Sequence, residues 1–215
     1  MLKTIIMDFD GLIVDTEVVW YNIYIDWFRT HKAYDLSMQE FLRCVGASSE
    51  TLFQELDQKG IHVNREEFAR DTTAQFVKDS SQLPAKTGVE TFLRSAKENG
   101  LTVVLATSAG RKKPTIHLTR LHLLQYFDLL VTAEDVSRIK PFPDLFLAAS
   151  SKLSCAPDEC LVVEDSLNGL LAGKNAGMRV LVVPNDVTRH CDFKGQYLLC
   201  DSLAEVDVPA LIAKF

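Results

Sequence analysis

The chain has 215 residues, 47% of them hydrophobic and 24% charged, and a formal net charge of −6. That composition suits a packed core and excludes a disordered chain, and no apolar run approaches the ~20 residues of a membrane-spanning helix. The acidic balance speaks against nucleic acid as the main partner, because a phosphate backbone is bound by a large basic face. A small phosphorylated ligand stays open, since it needs only local positive charge.

The length exceeds that of a typical single domain, so one domain with an insertion, or two small domains, is expected. Met1-Leu2-Lys3-Thr4 leads directly into a β-like run without a signal-peptide pattern, so a cytoplasmic location is expected. Five cysteines (Cys44, Cys155, Cys160, Cys191, Cys200) form no Cys-x-x-Cys pair and read as free thiols of a reducing cytosol rather than as disulfides or zinc ligands.

In chain order, residues 3–8 are an apolar run that ends abruptly in Asp-Phe-Asp-Gly, which suits a central strand covered on both faces. Residues 16–79 then contain no strand pattern and predict helices over 17–30, 37–44, 50–59 and 64–78. Ser37 and Glu40 have the spacing of a capping box. Val18, Trp20, Ile23, Tyr24 and Trp27 make the first helix apolar over more than one face, as in a small bundle beside a cleft. Asp79 to Pro84 is polar and turn-prone, a return linker. Beyond it, predicted helices at 89–99, 113–124, 144–153 and 167–176 alternate with strand-like runs at 102–106, 129–132, 160–163 and 180–183. This alternation predicts an α/β fold, a doubly wound parallel sheet with a small helical insertion after the first strand. The expected division is 1–15 with 80–215 for the α/β core and 16–79 for the insertion. Chemistry is then expected at the carboxyl ends of the strands.

Asp8-Phe9-Asp10-Gly11 places two carboxylates two residues apart, on one side of an extended chain, followed by a glycine that permits a sharp turn. Two such anions repel unless a cation or proton lies between them. Alone, the pair leaves an ordinary turn or a calcium loop open, although Leu12, Ile13 and Val14 are not the oxygen ligands an EF-hand requires. Thr107-Ser108 puts hydroxyls at another strand end, near a helix start, where phosphate oxygens are commonly bound. Lys140 precedes Pro141 and Pro143, so it cannot lie mid-helix and is a candidate phosphate anchor. Glu164-Asp165-Ser166 closes a further strand, with Asn168-Gly169 just after. Each is unspecific alone; their order, each after an apolar run, carries the reading.

Together, Asp8 to Glu17 (Asp-Phe-Asp-Gly-Leu-Ile-Val-Asp-Thr-Glu), Thr107-Ser108, Lys140-Pro141 and Glu164-Asp165-Ser166 resemble the four ordered motifs of the haloacid dehalogenase superfamily. The similarity is to the subgroup containing β-phosphoglucomutase and the small sugar-phosphate phosphatases. It covers nearly the whole chain, because the helical insertion lies where that subgroup carries its cap. The resemblance implies a Mg²⁺-dependent phosphomonoesterase with Asp8 as nucleophile and Asp10 as acid and base. It implies Mg²⁺ held by Asp8, the Asp10 backbone carbonyl and Asp165, with Glu164 alongside. Thr107, the Ser108 amide and Lys140 would hold phosphoryl oxygens, with Thr107 and Lys140 counted as catalytic, and Ala109, Trp20 and Gly46 would join them in binding the substrate. The dehalogenases lack the second aspartate, so Asp10 points to phosphoryl chemistry.

Mutases of the subgroup carry a cap histidine where this chain has Trp20, and a lysine and an arginine around the glycine where it has Val45 and Ser49 around Gly46. After the second motif they carry Ser-Lys where it has Ala109-Gly110. A mutase must grip a bisphosphate by both ends, so these losses favour a monophosphatase, with the mutase as the alternative. Arg111, Lys112 and Lys113 read either as replacement anchors or as a solvated helix start. A non-catalytic phosphometabolite-binding protein would have lost part of Asp8, Asp10, Lys140 and Asp165, and all are present. Tyr24 and Trp27 read as core, whereas Trp20 reads equally as core or as a platform for a sugar ring. The five histidines share no metal-ligand spacing and read as surface or satisfied positions. The expected partner is a small phosphorylated metabolite, with no nucleic acid or membrane, for a monomer or weak homodimer.

Overall fold

Apolar runs with no polar face become strands here because helices cover both sides of the sheet they form. The computed structural model describes residues 1–215 and contains six such strands: β1 (Thr4–Met7), β2 (Thr102–Ala106), β3 (Leu129–Val131), β4 (Cys160–Glu164), β5 (Arg179–Val182) and β6 (Leu198–Leu199). They pair in parallel in the order β3-β2-β1-β4-β5-β6. The helices are α1 (Glu17–Lys32), α2 (Met38–Phe41), α3 (Glu50–Gln58), α4 (Arg65–Ser80), α5 (Val89–Glu98), α6 (Lys112–Arg120), α7 (Asp144–Lys152), α8 (Leu167–Asn175) and α9 (Val208–Lys214). No helix is long and apolar enough to cross a membrane.

The period of two along each strand sorts side chains between two cores. Ile5, Met7, Val103, Leu105 and Val163 pack with α5 and α9, whereas Ile6, Val104, Val162 and Val180 pack with α7 and α8. The chain leaves β1 toward β2 on one side and later returns to β4 on the other. The strand order therefore reverses at β1, which opens a crevice at its carboxyl end.

Between β1 and α5 the chain is helical, and α1–α4 enclose a separate aromatic core of Tyr24, Trp27, Phe28, Phe41, Phe53 and Phe68. Ser37 and Glu40 form the capping box that their spacing predicts, and Asn64 caps α4 by accepting from the Glu66 and Glu67 amides. The α4 helix continues to Ser80, two residues past its predicted end, so the return linker starts at Ser81. The outgoing and returning segments touch at an antiparallel bridge between Val14 and Ala85.

Further features differ from the sequence reading, and the helix expected at 37–44 is a single turn that ends at Phe41. The helix expected at 113–124 stops at Arg120; His122 adopts φ +56° and a 3-10 turn over Leu124–Tyr126 follows, without the glycine that would have signalled the stop. The two-residue strand β6 and the short α9 carry too little periodicity to be read in advance.

Candidate active site

Asp8 follows β1 directly, and its amide donates to the Val163 carbonyl at 3.0 Å, which fixes it beside the end of β4. The chain then turns through Gly11 at φ +71°, where a β-carbon would stand 2.1 Å from Asp165 Oδ2 and 2.5 Å from Asn185 Nδ2. Only glycine lets the loop pass so close to the second acidic strand end.

Lys140, 2% exposed beside a cis peptide bond to Pro141, donates to Asp8 Oδ1 at 2.6 Å and to the Ala106 carbonyl at 2.9 Å. Its Nζ also lies 2.6 Å from Glu164 Oε1, an ion contact without hydrogen-bond alignment. Glu164 Oε2 accepts from the Asp165 amide and the Ser166 hydroxyl, both at 3.1 Å. Gly169 makes room for this carboxylate, since a β-carbon there would meet it at 1.8 Å. Asp165 Oδ2 accepts from Asn185 Nδ2 at 2.6 Å, and Asp165 Oδ1 is buried with no partner.

Carboxylate oxygens of Asp8, Glu164 and Asp165 lie within 4.8 Å of one another, all buried. Burial pushes the Asp8 carboxyl up to about 7 against the pull of Lys140, and burial with Glu164 and Asp8 raises Asp165 well above its ordinary range. Burial opposes the charge on Lys140, but Asp8 and Glu164 outweigh it and hold the ammonium above its usual range. Fully ionised, the three carboxylates would carry more negative charge than Lys140 neutralises, which is why the protonated forms of Asp8 and Asp165 are favoured when no further cation is bound. All donors of the cluster are oxygen and one is orphaned, a set that fits a hard divalent cation.

Thr107, Ser108 and Ala109 follow β2. The Thr107 amide donates to the Val131 carbonyl at 3.1 Å, the Thr107 hydroxyl accepts from the Ala109 amide at 3.1 Å, and the Ser108 hydroxyl donates to the Gly46 carbonyl at 3.0 Å. The Ala109 amide is therefore turned back on Thr107. Gly46, at φ +73°, sits against Ser166, and the neighbouring Val45 carbonyl accepts from Asn168 Nδ2 at 2.8 Å. Through these contacts the loop between α2 and α3 docks on the sheet end.

A cavity of about 450 Å³ lies between the inserted helices and the sheet, a size suited to a small metabolite. Asp8, Asp10, Thr107 and Ser108 from the sheet end line it, together with Trp20 and Gly46 from the inserted segment. The half-buried Trp20 ring lines the cavity while stacked on Phe76 at 4.0 Å. Tyr24 and Trp27 are buried, as expected, although Tyr24 also reaches the cavity wall.

Asn185 and Glu17 join the site without having been expected there, Lys113 resolves an open alternative, and His117, outside the cavity lining, departs from its expected setting. Lys113 is not a solvated helix start: its Nζ lies 2.6 Å from both carboxylate oxygens of Asp10, while Arg111 turns away to Asp135. Asn185 orients Asp165, and its only sequence signal is a proline–asparagine turn after β5. Glu17 lines the cavity at 6% exposure, and burial, then Asp10, pushes its carboxyl up to about 8. His117 corrects the expectation that every histidine is exposed or satisfied: its ring is buried 5.7 Å from Phe9 with Nδ1 unpartnered, and burial lowers its pKa so that the neutral ring is favoured.

Glu17 makes a stability prediction. Its carboxyl stays neutral in the folded chain up to about pH 8 but ionises near 4.5 when unfolded, so folding stability is lost as pH rises between these values. Glu17→Gln removes that loss, offset by an amide buried without partners, for a net gain of about 1–3 kcal/mol at pH 8. Thermal melts in EDTA should show a raised Tm for the variant at pH 8 and little difference at pH 5. The same shift at both pH values would mean that Glu17 is already neutralised by a neighbour.

A family profile described as haloacid dehalogenase-like hydrolase matches residues 5–183. YhcW of Bacillus subtilis (strain 168), a phosphatase by name, is 36% identical over 214 residues, covering 99% of this chain and 97% of YhcW. Hexitol phosphatase B of Escherichia coli (strain K12) is 31% identical over 189 residues, covering 83% of this chain and 82% of that protein. The crystal structure of β-phosphoglucomutase from Clostridium difficile shares the fold with a TM-score of 0.84, covering 100% of this chain and 97% of that one at 23% identity.

Proposed function

The chain belongs to the haloacid dehalogenase-like hydrolases, and from that premise we propose that it is a Mg²⁺-dependent phosphomonoesterase of a small phosphorylated metabolite, a sugar phosphate, working through an aspartyl-phosphate on Asp8. The observation that carries this reading is the convergence of Asp8, Asp10, Thr107 and Lys140 on one cavity-facing sheet end, beside the buried Glu164–Asp165 pair. Residues 16–79 act as the cap over a core of residues 1–15 and 80–215, and the reaction takes place in the cavity between them.

A carboxylate oxygen of Asp8 attacks phosphorus while the ester P–O bond breaks, and Asp10 gives its proton to the departing oxygen. Water then attacks the aspartyl-phosphate, Asp10 takes a proton from it, and cleavage of the bond to Asp8 frees inorganic phosphate. Proton transfer by a positioned group of this kind contributes roughly 10²–10⁴-fold. The Thr107 hydroxyl, the Ser108 amide and the Lys140 ammonium hold the phosphoryl oxygens as their charge redistributes. Asp8, Asp165, the Asp10 carbonyl and Glu164 would hold the Mg²⁺, which when bound supplies the positive charge that screens phosphoryl oxygens from the surrounding carboxylates. Closure of the cap over bound substrate would keep bulk water from the reacting groups.

Phosphate release from sugar phosphates, glycerol phosphate, nucleotides, phosphoglycolate and an aryl phosphate, with Mg²⁺ and with EDTA, tests the reading. Release that requires the metal and is fastest for a sugar phosphate is the expected outcome. Conversion of β-glucose 1-phosphate to glucose 6-phosphate faster than release would replace the phosphatase by a mutase. Folded protein that turns over none of these would leave a binding protein.

A further inference from the structure

We propose that Lys113 is a positioning residue for Asp10 and ties that acid–base group to the seating of the inserted helices, an inference that rests on the phosphatase reading. Asp10 lies beyond β1, where an isolated bridge to Val14 places its backbone but leaves its side chain to be fixed by other contacts. The Thr16 hydroxyl, itself an acceptor from the Gly11 amide at 3.2 Å, donates to Asp10 Oδ1 at 2.7 Å. One such bond leaves the carboxylate plane free to rotate about it. The Lys113 ammonium straddles both oxygens at 2.6 Å, and this second, charge-assisted contact fixes the plane.

Lys113 is itself held at both ends. Its base is the first turn of α6, which the preceding residue anchors: the Arg111 amide donates to Glu134 at 2.9 Å, and the Arg111 guanidinium reaches Asp135 at 2.6 Å. Its head lies 5.3 Å from the ring centroid of Phe76 in α4 and 5.9 Å from that of Phe9 in the core, both within cation–π range. Phe76 in turn stacks on Trp20. A continuous run of contacts therefore leads from the aromatic face of α1 and α4 through Lys113 to Asp10. Two carboxylates, Asp10 and Glu17, lie within the field of this lysine, and it pairs with Asp10.

No bond to Lys113 forms or breaks in the reaction: the contact to both oxygens is that of ionised Asp10, and when Asp10 carries the proton for the leaving oxygen on one oxygen, Lys113 keeps the other. Loss of Lys113 should therefore hurt most where the leaving group needs that proton. An alkoxide needs it, whereas a nitrophenolate leaves without it. A ground-state packing role would lower both rates alike.

The experiment compares kcat/KM of wild type, Lys113→Met, Lys113→Gln and Lys113→Arg on the best alkyl phosphate of the substrate panel and on p-nitrophenyl phosphate, with thermal melts as a check of folding. For Met and Gln we expect a loss of roughly 10–100-fold on the alkyl ester, the scale of a misplaced catalytic group, and no more than about 3-fold on the aryl ester. Arginine, which can also straddle a carboxylate, should recover much of the alkyl rate. Equal losses on the two esters, or none on either, would overturn the proposal while leaving the phosphatase reading in place. Wild-type protein that cleaves neither ester in Mg²⁺ would overturn both.

Discussion

Asp8→Asn is expected to lower phosphate release by on the order of 10⁴-fold or more while leaving the protein fully folded. An amide does not attack phosphorus, and the neighbouring carboxylates are committed elsewhere: Glu164 to Ser166 and Lys140, Asp165 to Asn185. The substitution keeps shape and removes one of three crowded, buried carboxylates. Asp8 holds its proton to about pH 7 in the folded chain and to about 3.8 unfolded, so wild type loses stability from this group as pH rises between those values. Asparagine has no such loss, and the metal-free variant should melt no lower than wild type at pH 8. A variant that keeps more than about a hundredth of wild-type turnover would remove Asp8 as the nucleophile.

Lys140→Met should do the opposite to stability while also stopping turnover. The lysine is 2% exposed and lies 2.6 Å from both Asp8 and Glu164, so its removal strands buried carboxylates without a counter-charge. Breaking a buried ion pair from one side costs about 3–5 kcal/mol, or roughly 6–20 °C in Tm for a chain of this length. The stranded carboxylates will hold protons to higher pH than in wild type. The folded variant then binds more protons than the folded wild type, and its deficit shrinks as pH falls. Melts in EDTA at pH 8 and pH 5, and at pH 8 with added Mg²⁺, read this directly. The deficit should be largest at pH 8 without metal and smaller under the other two conditions. A deficit independent of pH and of metal would mean that Lys140 contributes packing rather than charge.

The residues legible in advance share one property. Asp8, Asp10, Thr107, Ser108, Glu164 and Asp165 each end or follow an apolar run and Lys140 opens a proline-fixed turn, so their placement is a local matter. The residues that were missed have no local mark. Arg111, Lys112 and Lys113 are three basic residues in a row, and the rotation of α6 decides among them: Arg111 meets Asp135, Lys112 is exposed, and Lys113 meets Asp10. Glu17 has the appearance of any acidic residue in the first turn of a helix, where the dipole favours it; its burial arises only when α1 settles against the sheet end. The helix stop at Arg120 went unread because His122, not a glycine, takes the left-handed conformation.

Hydropathy period and strand-end chemistry, both carried by neighbours in the chain, determined the alternation of strands and helices, the helical insertion after the first strand and the acidic motif of the site. Those signals act over a few residues, which is why they are readable from the sequence alone. What the tertiary structure decided is the pairing of charged and polar groups: Lys140 with Asp8 across 132 positions, Lys113 with Asp10 across 103, and Asn185 with Asp165 across 20. The physical reason is desolvation. An exposed lysine or carboxylate is satisfied by water and needs no particular partner. Once the sheet order β3-β2-β1-β4-β5-β6 and the docked helices exclude that water, each buried charge must be met by another group, and only the closed fold determines which one is within reach.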